Sequence, residues 1–188
     1  MHRKFAAHLE LTKSYWQKHL EPPDIAIDAT CGNGYDTLFL AQLPIRAVWG
    51  IDIQPKAIEH TRKILEAHGV AHHVVLHCGS HENFAWVKTS FPPQLIVYNL
   101  GYLPTGDKNL TTQTKTTLAS LQAALPILGD RGAISITCYP GHTEGEKEEQ
   151  AILSWAKSLT STQWHVCHHR WINRDRSPTV FWIQKIYV

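Results

Sequence analysis

The stretch Asp24-Ile25-Ala26-Ile27-Asp28-Ala29-Thr30-Cys31-Gly32-Asn33-Gly34-Tyr35-Asp36-Thr37 decides the fold of this chain. Three apolar residues between two aspartates predict a short buried strand. Gly32 and Gly34 then allow positive φ and let a ligand approach the backbone. Leu38, Phe39 and Leu40 follow in a helix, whose first turn offers unpaired amide N–H groups and the positive end of its dipole. The whole reads as the first strand–turn–helix unit of an α/β sheet, although D-x-x-x-G-x-G alone equally describes an ordinary tight turn.

The next carboxylate narrows the choice. Asp52 closes a second apolar strand, Ala47-Val48-Trp49-Gly50-Ile51-Asp52, 18 residues after Gly34. An acid at that position accepts both hydroxyls of a ribose. A dinucleotide fingerprint calls for a small third residue at position 37, which is Thr37, and has no need of Asp28. A carboxylate before the turn suits the ammonium of a methionine moiety, directly or through water. The pattern favours S-adenosyl-L-methionine over a nicotinamide or flavin dinucleotide.

Farther along, strands and helices alternate. A helix over 6–19 stops before Pro22-Pro23, and another begins at Pro55. Strands are expected over 73–78, 94–99 and 132–139, and helices over 111–128 and 144–159. Two aromatic strands, 164–171 and 179–187, close the chain. This alternation predicts an α/β sandwich with a mainly parallel sheet, whose ligands bind beyond the carboxyl ends of the strands. Asp28, Asp52, Cys78-Gly79-Ser80-His81, Asn99 and Tyr139-Pro140-Gly141-His142 all fall at those ends.

With 188 residues, 43% of them hydrophobic and 18% charged, the chain can bury the core of one domain, residues 1–188, with 1–22 as a helical lead-in. No apolar run approaches the roughly 18–20 residues that span a bilayer, and no signal-peptide h-region follows Met1-His2-Arg3-Lys4-Phe5. Cys31, Cys78, Cys138 and Cys167 form no C-x-x-C pair and read as reduced thiols of a cytoplasmic protein. A net charge of +2 is too mild to establish a nucleic-acid partner. A homodimer is compatible with a sequence that marks no interface.

The segments DATCGNGYDT, GIDIQ, CGSHENF, NLGYLPTGD, YPGH and NRDRSP, spread from about His8 to Lys185, resemble one class I methyltransferase family named rRNA methylases. They are also similar to the tRNA wobble-uridine 5-aminomethyl methyltransferases. The resemblance implies a Rossmann-like class I methyltransferase fold: a seven-stranded, mostly parallel sheet with an antiparallel last strand and helices on both faces. It implies S-adenosyl-L-methionine as cofactor, held by Asp28, Gly32, Asn33, Gly34 and Asp36, with Asp52 and Gln54 at the ribose and Ser80 and His81 at the adenine. Asn99 would lie near the methyl donor. The activity implied is conversion of 5-aminomethyl(2-thio)uridine at the wobble position of tRNA to its 5-methylaminomethyl form. An rRNA or small-molecule methyltransferase is the neighbouring alternative. A nicotinamide-dependent oxidoreductase and a non-catalytic RNA-binding module are alternatives of other classes.

Many amine-methylating enzymes carry N-P-P-Y at the fourth strand, where this chain has Asn99-Leu100-Gly101-Tyr102. Loss of both prolines fits an aliphatic rather than a ring amine. Such an amine must shed a proton before attack, and His142, Tyr139, Tyr102 and Asp107 are the candidates to orient it or accept the proton, His142 foremost. Gly101, Leu103 and Asp107 fall in the expected substrate loop. Arg174 and Arg176, with Trp171 beside them, could hold phosphate and a stacked base of an anticodon loop, or form a solvated turn. His165-x-Cys167-His168-His169 alternates across a strand and is not expected to bind a metal.

Overall fold

The fold is taken from a computed structural model, which describes residues 6–101 and 112–186. Seven strands form one sheet: β1 (Ile25–Asp28), β2 (Ala47–Asp52), β3 (Val74–Cys78), β4 (Leu95–Asn99), β5 (Ala133–Cys138), β6 (Trp164–His169) and β7 (Thr179–Lys185). Their order is β3-β2-β1-β4-β5-β7-β6. β1 to β5 are parallel, β7 runs antiparallel to β5, and β6 runs antiparallel to β7. The expected sheet, with its antiparallel last strand, is the one observed.

β1, β4 and β5 are the centre, and every residue of β1 and β5 is buried. Alternate side chains feed two cores. Ile27, Ile96, Ile134, Ile136 and Phe181 pack under α4 (Thr114–Ala124) and α5 (Thr143–Lys157). Ala26, Val48, Leu95, Val97 and Trp182 pack under α1 (Ala7–His19), α2 (Tyr35–Ala41) and α3 (Pro55–Ala67). Helices therefore cover both faces, as expected.

Most boundaries fall within two residues of expectation, and two of the differences have a clear local cause. The helix foreseen over 111–128 is α4 followed by a 3-10 turn, Leu125–Ile127, because Pro126 cannot continue the backbone ladder. The strand foreseen from 73 starts at Val74, since His73 completes a 3-10 turn and its Nε2 bonds the carbonyl of Ala41 at 2.9 Å. Trp182 is buried beneath α1, stacked on Tyr15 at 5.0 Å and met edge-on by His19 at 5.2 Å. Among the described residues no helix is long and apolar enough to cross a membrane.

Candidate active site

Parallel strands deliver their carboxyl ends to one rim, and β1, β2 and β4 end there on Asp28, Asp52 and Asn99. The turn after β1 is shaped by glycine. Gly32 has φ 50° and Gly34 has φ 78°, and a Cβ on Gly34 would come within 2.9 Å of the Thr61 backbone. Asp52 locks this turn: one carboxylate oxygen accepts from the Gly32 N–H at 2.9 Å, the other from the Gln54 N–H at 2.9 Å. Each oxygen keeps lone pairs for a further donor.

Asp28 lies deeper. Its carboxylate accepts from the Thr30 N–H at 3.1 Å and the Thr37 hydroxyl at 2.6 Å. Burial, aided by repulsion from Asp36, pushes its carboxyl up to about 7. Burial likewise raises Asp36, opposed by a bond from Asn99 and by the charge of Lys13 on α1. Thr37, read in the sequence as an obstacle to a dinucleotide, here supplies a hydrogen bond to Asp28.

Asn99 joins the strand ends. Its N–H donates to the Thr30 hydroxyl at 2.7 Å and its Nδ2 to Asp36 at 2.9 Å. Burial holds the Tyr139 phenol well above its usual range, in its neutral form, with the Asn99 side chain acting weakly in the opposite direction. Asn33 stands in the glycine turn between Gly32 and Gly34.

At the end of β3, the Ser80 hydroxyl donates to Glu82 at 2.9 Å. The His81 carbonyl accepts from Ser120 at 2.6 Å, and its ring stands edge-on to the fully buried Tyr98 at 6.1 Å. The His81 Nδ1 is buried and meets no hydrogen-bond partner among the described residues. Burial keeps this imidazole neutral by lowering its pKa. Three carboxylates and an orphaned imidazole nitrogen along one rim suit a ligand with cationic groups, a diol and an aromatic base, which is the chemistry of an adenosyl sulfonium.

His142, the foremost candidate to take the amine's proton, has a structural place of its own. It is the N-cap of α5, and its Nδ1 accepts from the Gly145 N–H at 3.1 Å. A neutral ring that accepts at Nδ1 carries its hydrogen on Nε2, so in this conformation the side chain serves as a helix cap. Tyr102, Leu103 and Asp107 lie outside the described residues. Gly101, at φ 118°, pairs with Thr112 through two hydrogen bonds of 2.9 and 3.0 Å. Thr112 is in turn tied to the buried Glu148 at 2.8 Å.

Arg174 and Arg176 stand in the loop between β6 and β7, on the same rim. Together with Arg170, Trp171, Glu149 and Pro140 they line a cleft of about 140 Å³. Among the described residues none of the three guanidiniums has a carboxylate within ion-pairing distance. Sequence reasoning foresaw the helix α1 but not its part in the site. Its His8 reaches Tyr139, with Nε2 3.4 Å from the hydroxyl, and its Lys13 acts on Asp36. The signal was slight, a histidine one turn into a helix that otherwise reads as a lead-in. Among the described residues no cluster of three His, Cys, Asp or Glu is arranged for a metal.

A sheet of this order, with acids closing its first two strands around a glycine turn, defines a class I methyltransferase fold. Comparison with known proteins agrees. A family model described as "Putative rRNA methylase" matches residues 48–185. A chloroplastic tRNA (mnm(5)s(2)U34)-methyltransferase of Arabidopsis thaliana is 33% identical over 187 residues, covering 94% of this chain and 68% of that protein. An rRNA methylase structure from Clostridium thermocellum superposes with TM-score 0.90 at 33% identity, over 99% of this chain and all of that one (100%). A methyltransferase from Streptococcus mutans in complex with SAH superposes with TM-score 0.86 at 31% identity, over 98% and 100%. The chain belongs to the rRNA methylase family of methyltransferases.

Proposed function

We propose that this methyltransferase acts on tRNA, converting 5-aminomethyl(2-thio)uridine at the wobble position to 5-methylaminomethyl(2-thio)uridine. Its cofactor is S-adenosyl-L-methionine, which when bound supplies a methyl group on positively charged sulfur. In this reading Asp28 and Asp36 meet the cationic groups, Asp52 takes the ribose hydroxyls beside Gln54, and Ser80 and His81 face the adenine. Gly32, Asn33 and Gly34 bring the backbone close enough for contact.

The observation that carries the substrate is the likeness over 94% of the chain to a protein named for the wobble nucleoside. The Asn99 environment supports it. With its amide nitrogen donating to Asp36, Asn99 presents its carbonyl oxygen as an acceptor for one amine N–H. One acceptor, with no prolines to shape a slot for a planar ring, suits an aliphatic amine. Alignment of nitrogen, methyl carbon and sulfur then does most of the work. Arg174 and Arg176, which pair with no carboxylate among the described residues, give the same rim an attraction for the phosphates of an anticodon loop.

The test is incubation of the protein and cofactor with tRNA carrying 5-aminomethyl-2-thiouridine, followed by nucleoside mass spectrometry. The expected result is a gain of one methyl on that nucleoside. Methylation of rRNA with the tRNA nucleoside unchanged would instead establish the target that the family description names.

A further inference from the structure

An alkylammonium must lose a proton before its nitrogen can attack, and the rim residues described so far do not take one. His142 is committed to the start of α5. The Tyr139 phenol is neutral. Asp28 is enclosed by Thr30 and Thr37, on the side assigned to the cofactor's ammonium.

α1 supplies the missing group. Its first turn brings His8 over the end of β5, where Nε2 lies 3.4 Å from the Tyr139 hydroxyl and the two rings meet edge-on, 5.7 Å between centroids. Asn99 and Asp36 act on the Tyr139 phenol from the rim, and Asn99 donates to Asp36 at 2.9 Å. Two polar pairs, Asp36 with Asn99 and Tyr139 with His8, therefore stand together on the rim, with the imidazole at the outer end. With the Asn99 Nδ2 turned to Asp36, its Oδ1 and the His8 Nε2 are acceptors open to an incoming amine.

We propose that His8 is the proton acceptor of this enzyme: the aminomethyl group binds between Asn99 Oδ1 and His8 Nε2, and the Tyr139 hydroxyl orients the imidazole. The inference rests on the N-methylation proposed above. A 3.4 Å bond from Tyr139 is at the weak end of the hydrogen-bond range and yields readily to an ammonium N–H. Burial alone acts on the His8 ring, lowering its pKa, and Tyr139 is the titratable side chain that touches it among the described residues. It is thus an uncharged base at neutral pH. The ammonium passes one proton to Nε2. The freed nitrogen lone pair forms the new C–N bond as the C–S bond breaks, with that electron pair staying on sulfur. The product leaves as a secondary ammonium, and the half-buried imidazolium returns its proton to water.

Two measurements test this. In the cofactor-free protein, the His8 ring followed by NMR should titrate below the ordinary histidine value, and Tyr139→Phe should move that titration. In the methylation assay, His8→Gln should lower kcat at pH 7 by about 100-fold or more, the scale of general-base catalysis. SAH affinity should stay within about twofold, the loss should shrink as pH rises and the amine deprotonates unaided, and added imidazole should partly restore His8→Ala. A His8→Gln enzyme with wild-type kcat and pH profile overturns the proposal. So does a pH-independent loss accompanied by weakened SAH binding, which marks a structural role. If the wild-type protein itself leaves the wobble nucleoside unmethylated, the substrate reading fails first and this inference falls with it.

Discussion

At the scale of the residue, Asp28 shows how burial sets chemistry. Its carboxyl, pushed up to about 7, is shared between two protonation states at neutral pH. In the unfolded chain the same group ionises near its ordinary value of 3.8. The folded state therefore binds the extra proton between these values, and the stability Asp28 contributes is complete below about pH 4 and lost as pH rises towards 7. Measured by denaturant unfolding without cofactor, Asp28→Asn should gain on wild type steadily between pH 4 and 7 and level off above. Cofactor affinity should move the opposite way. A cationic ligand favours the ionised acid, so the SAH dissociation constant of the wild type, read by calorimetry, should tighten severalfold from pH 6 to 8, and that of Asp28→Asn should stay flat.

At the scale of the element, the turn between β5 and α5 separates two roles that one motif seemed to share. Tyr139 points into the rim, while His142 closes the first turn of α5. His142→Ala should cost about 1 kcal/mol of stability, the worth of an N-cap, and lower the melting temperature by a few degrees. The shape of the pH–rate profile should be unchanged. Much at this scale was readable in the residues themselves. The apolar run of β1, the glycines at 32 and 34 and the proline at 55 act within a few residues of where they stand, whereas the helix expected over 111–128 ran through Pro126. What could not be read was the direction of a side chain within a loop, because a histidine after Pro140-Gly141 serves equally as base or cap until the next helix is placed.

At the scale of the whole molecule, the order β3-β2-β1-β4-β5-β7-β6 brings residues far apart in the chain onto one rim. The loop after β6 lies against the turn after β5, with the Arg176 carbonyl 3.9 Å from where a Cβ on Gly141 would stand. The arginines are therefore beside the rim without belonging to the methyl-transfer chemistry. Reversing both, Arg174→Glu with Arg176→Glu, should weaken binding of an anticodon stem-loop at least tenfold and flatten its dependence on salt, as measured by fluorescence anisotropy. SAH binding should not change.

The amino-acid sequence by itself determined the strands, the glycine turn, the acids that end β1 and β2, and hence the cofactor class, since backbone preference and apolar patterning are local properties. Only the tertiary structure decided that α1 lies on one face of the sheet with its first turn at the carboxyl end, that His8 meets Tyr139, and that His142 caps its own helix. Those contacts span up to 131 residues of chain. They are set by which core the faces of α1 and α5 bury, a choice the whole sheet makes at once.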